Sequence, residues 1–177
     1  MKDDPTELIK RAQEGDRRAF EALVLEYYDI IFRIACKWCG NPTDAEDITQ
    51  TACLKLARSL QSFQFKSAFT SWLYRLVINA AMDWQRQNRK NYLALSDDMP
   101  GGAGNAEDAL QAREVMAQVF ALPDKEKTAL LLVFSEGLSH AEAAKIMECR
   151  ESTVSGYIHQ ARKKLGVKNE SKERRHG

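Results

Sequence analysis

Three constellations in this 177-residue chain hold side chains capable of chemistry or recognition. The first is Cys36-Lys37-Trp38-Cys39, a CxxC that would suit a metal or a dithiol. A tetrahedral metal needs about four ligands. Cys53 and Cys149 bring no second CxxC, and His140, His159 and His176 fit no ligand spacing. A redox CxxC would sit in a βαβ setting, and no strand pattern surrounds this one. The cysteines therefore read as reduced thiols packed in helices, with no metal. No Ser-His-Asp set, paired-carboxylate cleft pattern or glycine-rich phosphate loop is present, so neither an enzyme nor a cofactor is expected.

The second constellation is the segment from Phe69 to Trp84, dense in aromatics, interrupted by Asn79, and followed by Arg86, Arg89 and Lys90. Trp72, Leu73, Leu76 and Val77 read as core. The remaining aromatics beside a basic surface are equipped to stack on unpaired bases. The third runs from Ser139-His140-Ala141-Glu142, a capping box, to the basic run Arg162-Lys163-Lys164. Its two short helices are joined by Glu148-Cys149-Arg150, with Ala143 small enough for a close crossing and Ile146, Val154, Ile158 and Leu165 on the apolar side. This is the size of a helix-turn-helix, whose second helix enters the major groove. Ser152 and Thr153 at its start suit a phosphate; Ser155, Tyr157, His159, Gln160 and Lys163 lie on its polar faces. The competing reading is an αα-hairpin with a solvated charged face. Glu148 is a weak point, since glycine or asparagine takes the left-handed backbone of such a turn more easily.

The elements that must position these groups are all helical. Asp4-Pro5-Thr6-Glu7 predicts an N-terminus, Gly15 an end, and Asp16 the next cap. Phe20, Leu23, Val24, Tyr27, Ile31, Ile34 and Trp38 then recur at helical spacing up to Gly40-Asn41-Pro42. Thr43-Asp44-Ala45-Glu46 reads as a capping box for a helix through Ile48, Cys53, Leu56 and Leu60. After a loop around 61–67 comes a helix over about 69–88. A further helix is expected over about 107–121, a break at Leu122-Pro123-Asp124, and another helix over about 125–136, closed by Gly137. The fold class is all-α: two small helical domains, 1–92 and 107–167, joined by a flexible linker over 93–106 and followed by a basic tail at 168–177.

Charge follows that division. The net charge is only +1, but Arg150, Arg162, Lys163, Lys164, Lys168, Lys172, Arg174 and Arg175 face only Glu151, Glu170 and Glu173. Asp97, Asp98, Glu107 and Asp108 lie between the two basic regions. A near-neutral total thus hides two surfaces suited to a polyanion. No apolar run approaches the roughly 18 residues of a membrane span, and the acidic start is unlike a signal peptide, so a cytoplasmic protein with no membrane insertion is expected.

Two sets of residues carry a family resemblance. Asp44-Ala45-Glu46-Asp47-Ile48-Thr49-Gln50, then Ser67-Ala68-Phe69 with Trp72-Leu73-Tyr74-Arg75 and Asn79, resemble region 2 of bacterial sigma factors. Leu122-Pro123, Glu136-Gly137-Leu138-Ser139, Ala143-Ala144, Thr153-Val154 and Ala161-Arg162-Lys163-Lys164-Leu165 resemble region 4. Their order and spacing over about 15–167 are similar to the extracytoplasmic-function (ECF) group. The resemblance implies a protein that binds core RNA polymerase, through the β′ clamp helices and the β flap, and brings it to promoter DNA. It places Asp47 and Gln50 at the clamp helices, though Asp44, Glu46 and Asp47 also suit a helix N-terminus. It assigns capture of a flipped −10 base to Phe63, Ser67, Phe69 and Asn79, and the −35 element to Ser152, Thr153, Ser155, His159, Gln160 and Lys163. Ser155, Gly156, His159 and Gln160 depart from the commonest family pattern, which implies an unusual −35 sequence. An anti-sigma factor is a further implied partner. The alternative is a stand-alone helix-turn-helix regulator with an N-terminal dimerisation or sensor domain.

Overall fold

A computed structural model describes residues 5–92, 114–115 and 117–166; the expected cap at Asp4, the linker 93–106 and the tail 168–177 lie outside them. Every regular element among the described residues is helical. The chain divides into two compact units, Met1–Pro100 and Gly101–Gly177.

In the first unit, α1 (Pro5–Gln13), α2 (Arg17–Cys39), α3 (Pro42–Ser59) and α4 (Phe69–Tyr92) form a bundle. Helix α2 packs on the other three, and α3 also packs on α4. The helical periodicity of α2 turns Leu23, Tyr27, Ile31, Ile34 and Trp38 inward. They meet Ile48, Ala52 and Leu56 of α3 and Leu73, Val77 and Ala81 of α4 in one core. Fully burying each large aliphatic side chain contributes about 1.5–3 kcal/mol relative to exposure. Trp72, expected in the core, is only half-buried.

Capping sets the helix boundaries. Asp16 Oδ1 accepts the Ala19 N–H at 3.1 Å, while Oδ2 accepts from Arg11 Nη2 at 2.7 Å, closing the α1–α2 turn. Hydrogen bonding from Arg11, then from the Ala19 N–H, holds the Asp16 carboxyl below its ordinary value. Gly40, at φ 83°, ends α2 and donates its N–H to the Cys36 carbonyl at 2.8 Å. The cap of α3 is Asn41, where the sequence pointed to Thr43: Asn41 Oδ1 accepts the Asp44 N–H at 2.8 Å. Pro42 explains the shift, because its φ suits the first helical position and its missing N–H is not needed there.

In the second unit, helical residues at 114–115 and 117–120 precede α5 (Asp124–Leu130), which runs into a single π turn, Leu131–Ser135. The expected helix over 125–136 is thus α-helical only for its first part. Helices α6 (His140–Met147) and α7 (Glu151–Lys164) follow. Helix α7 packs on both α5 and α6 through Val154, Ile158 and Ala161, against Ala129, Ala143 and Ile146. Lys164 Nζ meets Glu126 Oε1 at 2.7 Å, tying the last turn of α7 to α5.

Candidate nucleic-acid interface

The α6–α7 pair is built as a helix-turn-helix. Ser139 accepts the Glu142 N–H at 3.2 Å, and the Glu142 carboxylate accepts the Ser139 N–H at 2.8 Å, completing both halves of the capping box. The Ser139 hydroxyl and N–H hold the Glu142 carboxyl below its ordinary value. The three-residue turn requires a left-handed residue, and Glu148 takes it at φ 52°, ψ 46°. The Cys149 N–H then donates to the Ala144 carbonyl at 3.0 Å. A non-glycine residue pays about 1–2 kcal/mol for this backbone, and the paired helices hold it there.

With Val154, Ile158 and Ala161 turned inward, the period of α7 leaves Ser152, Ser155, Gly156, His159, Gln160 and Lys163 exposed along one side. Thr153 is half-buried. Arg150 begins the helix with no side-chain cap, which leaves first-turn N–H groups able to meet a phosphate. A Cβ on Gly156 would meet nothing within 4 Å, so this glycine is not demanded by packing inside the unit. It leaves room for a close backbone approach from outside.

Ser155 is held by two partners. Its Oγ lies 3.2 Å from the Glu151 carbonyl and is hydrogen-bonded to His140 Nδ1 at 2.8 Å. Sequence reasoning had set His140 aside. Its place at the first turn of α6 brings it onto the recognition helix, a tertiary contact that no local pattern announces.

In the first unit the loop between α3 and α4 carries a cluster of aromatic rings beside a cleft. The ring of Phe63, 5% exposed, lies 4.9 Å from that of Phe65, 5.4 Å from Phe69 and 5.5 Å from Trp72. Phe69 makes an edge contact with Tyr27 at 5.0 Å. The rings of Phe63, Phe65 and Phe69 floor a cleft of about 390 Å³, whose lining also includes Ser67. Pro5, Thr6 and Ile9 of α1 and Tyr27 of α2 line it too. Phe65 is 40% exposed and adopts φ 57°, an outlier for a bulky residue of the kind that clusters at binding sites.

The cleft therefore gathers Phe63, Ser67 and Phe69. Asn79 is exposed on α4 and does not line it. Ten residues beyond Phe69, it sits about 15 Å along the helix axis. Phe65 is not marked by the sequence reading, and Tyr27 is read there only as core. The pair Phe63-Gln64-Phe65 in a loop was the available signal for the first; nothing local marks Tyr27, whose spacing reads as ordinary core.

Asp47 and Gln50 are both exposed on α3, one turn apart. Leu54, a turn further on, is 60% exposed and off the buried Ile48–Ala52–Leu56 register, so it extends the same outward stripe. Glu46 is exposed and does not cap the helix. Lys55 Nζ reaches Asp83 Oδ2 at 2.6 Å, and Arg86 lies 3.5 Å from Oδ1 of the same carboxylate, linking α3 to the basic end of α4.

The CxxC contributes packing. Burial pushes the Cys39 thiol up to about 12, and its Sγ–H donates to the Asn41 carbonyl at 3.2 Å. Burial, then the nearby Glu46 carboxylate, raises Cys36 as well. Both are protonated thiols at neutral pH, unlike the activated thiolate of a reactive dithiol. All four cysteines are unbridged, and no three metal-ligating side chains cluster among the described residues.

Comparison with known proteins agrees with this arrangement. The sigma-70 region 2 family model matches residues 23–91, and the sigma-70 region 4 model matches 112–165. The RNA polymerase sigma-H factor of Pseudomonas aeruginosa is 33% identical over 182 residues, covering 90% of each chain. The ECF RNA polymerase sigma-E factor of Escherichia coli is 32% identical over 184 residues, covering 91% of this chain and 92% of the relative. The ECF RNA polymerase sigma factor SigW of Bacillus subtilis is 30% identical over 173 residues, covering 89% and 92%. Among solved structures, CnrH in complex with the cytosolic domain of CnrY has a similar fold, with a TM-score of 0.64 at 24% identity, over 90% of this chain and 93% of that one. The sigma factor RpoE of Bartonella quintana, solved with the anti-sigma factor NepR, gives 0.60 at 20% identity, over 82% and 93%.

Proposed function

The chain belongs to the ECF group of sigma-70 family RNA polymerase sigma factors, and on that premise we propose a division of labour between its two units. The protein binds core RNA polymerase and directs it to promoters. The first unit, 1–92, docks on the β′ clamp helices through Asp47 and Gln50 and captures an extruded base of the −10 element in the cleft of Phe63, Ser67 and Phe69. Asn79 contacts the same strand farther along α4, outside that cleft. The second unit, 107–167, reads the −35 element with Ser152, Thr153, Ser155, His159, Gln160 and Lys163 and meets the β flap; 93–106 links the two. The exposed polar side of α7, backed by a fully packed apolar side, is the observation that carries this reading.

The chemistry follows from contacts alone. Arg162, Lys163 and Lys164 supply salt-dependent attraction to phosphates, and Gln160 favours adenine in a bidentate major-groove contact. Extruding a base costs a few kcal/mol, which stacking on the cleft aromatics and hydrogen bonds to Ser67 offset. No catalytic group is required, so the protein acts as an initiation factor without enzymatic activity. Its site of action is the cytoplasm, and an anti-sigma factor is its regulator. Among the described residues no helix is long and apolar enough to cross a membrane.

In-vitro transcription with purified core polymerase on a pool of randomised promoters tests this reading. New start sites that share two upstream motifs are the expected result. Absence of both new starts and core binding overturns the sigma reading; core binding without starts overturns the promoter assignment.

A further inference from the structure

Helix α1 precedes residue 23, where the region 2 match begins, yet it forms one side of the aromatic cleft through Pro5, Thr6 and Ile9. A single side chain at its end also grips the loop opposite. Gln13 Nε2 donates to the Leu60 carbonyl at 2.9 Å and to the Phe63 carbonyl at 2.8 Å. A primary amide nitrogen carries two hydrogens, so both are committed to these two bonds. Leu60 opens the short 3-10 turn Leu60–Ser62, and Phe63 follows it, donating its own N–H back to Leu60 at 3.0 Å. Carbonyls at the end of a helix lack partners within it. Gln13 gives the Phe63 carbonyl a donor, adds a second to the Leu60 carbonyl, and fixes where the loop leaves α3.

The consequences run to both sides of the cleft. Phe63 carries the ring on which Phe65, Phe69 and Trp72 converge, so fixing its backbone positions the aromatic floor. The left-handed Phe65, two residues on, persists only where its surroundings over-determine it. On the other side α1 is itself anchored, by the burial of Leu8 and Ile9 and by the Arg11–Asp16 pair.

We infer that Gln13 is a positioning residue for base capture, and that α1 is the far wall of the cleft, setting its width for one unpaired nucleobase. This rests on the reading of the cleft as the −10 site. The amide acts through the loop and does not touch the base. A side chain with two donors is needed. Glutamate, of the same shape, would turn a carboxylate toward two carbonyl oxygens, and leucine would remove the donor from both, leaving Leu60 only the Phe63 N–H. Lysine supplies donors again.

The test uses full-length Gln13→Glu, Gln13→Leu and Gln13→Lys with core polymerase. The probe is a set of promoters carrying 2-aminopurine in the −10 element, with each of the four bases at the captured position. Core binding by fluorescence polarisation and thermal unfolding by circular dichroism are followed in parallel. The expected result is that Q13E and Q13L bind core as tightly as the parent, but open promoters about tenfold more slowly and lose most of their preference among the four bases. Q13K recovers both. Parent-like opening and preference in Q13E and Q13L overturns the inference, as does a Q13K variant that folds normally and is as defective as Q13E. If Q13E fails to fold, Q13L and Q13K decide between the same outcomes. Phe65→Ala and Ser67→Ala separate the two levels. If neither alters base preference, the cleft is not the base site and the inference falls with it; if they do and the Gln13 variants do not, the role of Gln13 alone is overturned.

Discussion

The candidate recognition surfaces of the two units have opposite geometries. The second lays its candidate contacts along the exposed side of one helix, and the apolar residues that create that side, Val154, Ile158 and Ala161, lie on the same fourteen-residue helix. The first assembles a concave cleft from the start of α1, Tyr27 of α2 and the loop before α4. A convex surface is specified by local periodicity, whereas a cleft exists only once distant elements have packed. The second unit is therefore expected to tolerate changes on its candidate contact face with little effect on folding, while in the first several cleft residues, Phe63, Phe69 and Tyr27, also belong to the core.

The sharpest way to break this comparison is Phe69→Ala. Phe69 lines the cleft and touches Tyr27, Phe63 and Trp72. Truncating it is expected to destabilise the first unit by about 3–5 kcal/mol, the usual cost for a buried phenylalanine, and to abolish promoter opening. Chemical denaturation followed by tryptophan fluorescence measures it, since Trp38, Trp72 and Trp84 all belong to the first unit. A loss below about 1 kcal/mol would mean that the cleft rings are not structural.

The next effect concerns how the first unit is delimited. Asn41→Ala removes the cap of α3 and should cost about 1 kcal/mol, whereas Thr43→Ala should cost a few tenths at most. Equal losses from the two variants in urea melts would restore the Thr43 box that the sequence suggested.

Gly156→Ala tests the convex face. Alanine gains about 0.8–1 kcal/mol over glycine in a helix interior, and the structure leaves open space where its Cβ would go. The second unit should become more stable while −35 binding weakens. Circular dichroism and a gel-shift titration with holoenzyme read the two quantities. Unchanged DNA binding would show that the helix backbone does not approach the groove closely at this point.

The smallest expected effect is in acid. Glu142 and Asp16 both have carboxyl groups held below their ordinary values of 4.5 and 3.8 by capping hydrogen bonds and, for Asp16, by Arg11. A lowered folded value means that each contributes stability above its ordinary value and loses it as pH falls through the lowered one. Loss from Glu142 in the second unit should begin at a higher pH than loss from Asp16 in the first. Glu142→Gln should flatten the acid limb of the second unit's melting curve and leave that of the first unchanged. A flattening in both would show that the effect of Glu142 is not confined to its own helix cap.

Much of the fold was legible beforehand because its signals are local. The helical recurrence from Phe20 to Trp38, the Asp16 cap and the Ser139–Glu142 box are each set by neighbours about a turn apart; the caps appear as read, and of the recurrence Leu23, Tyr27, Ile31, Ile34 and Trp38 are buried while Phe20 and Val24 are half-buried. The Thr43 box failed for an equally local reason: Pro42 claimed the first helical position and moved the cap to Asn41. Glu148 was identified as ill-suited to its turn. It occupies the left-handed conformation because α6 and α7, packed through Ala143, Val154 and Ile158, leave the connecting residue no alternative.

By itself, then, the sequence determined that the chain is helical, where most helices begin and end, and which side of α7 faces outward. Side-chain period and capping chemistry act over a few residues and need no partner. Only the tertiary structure decided that Phe63, Ser67 and Phe69 share a cleft with α1 while Asn79 does not, that Gln13 pins the loop, and that His140 steadies Ser155. The hydrogen bonds among those relations join residues 15 to 50 positions apart, and the cleft joins residues farther apart still. Their geometry is set by how amphipathic helices pack, which no single stretch of the chain encodes.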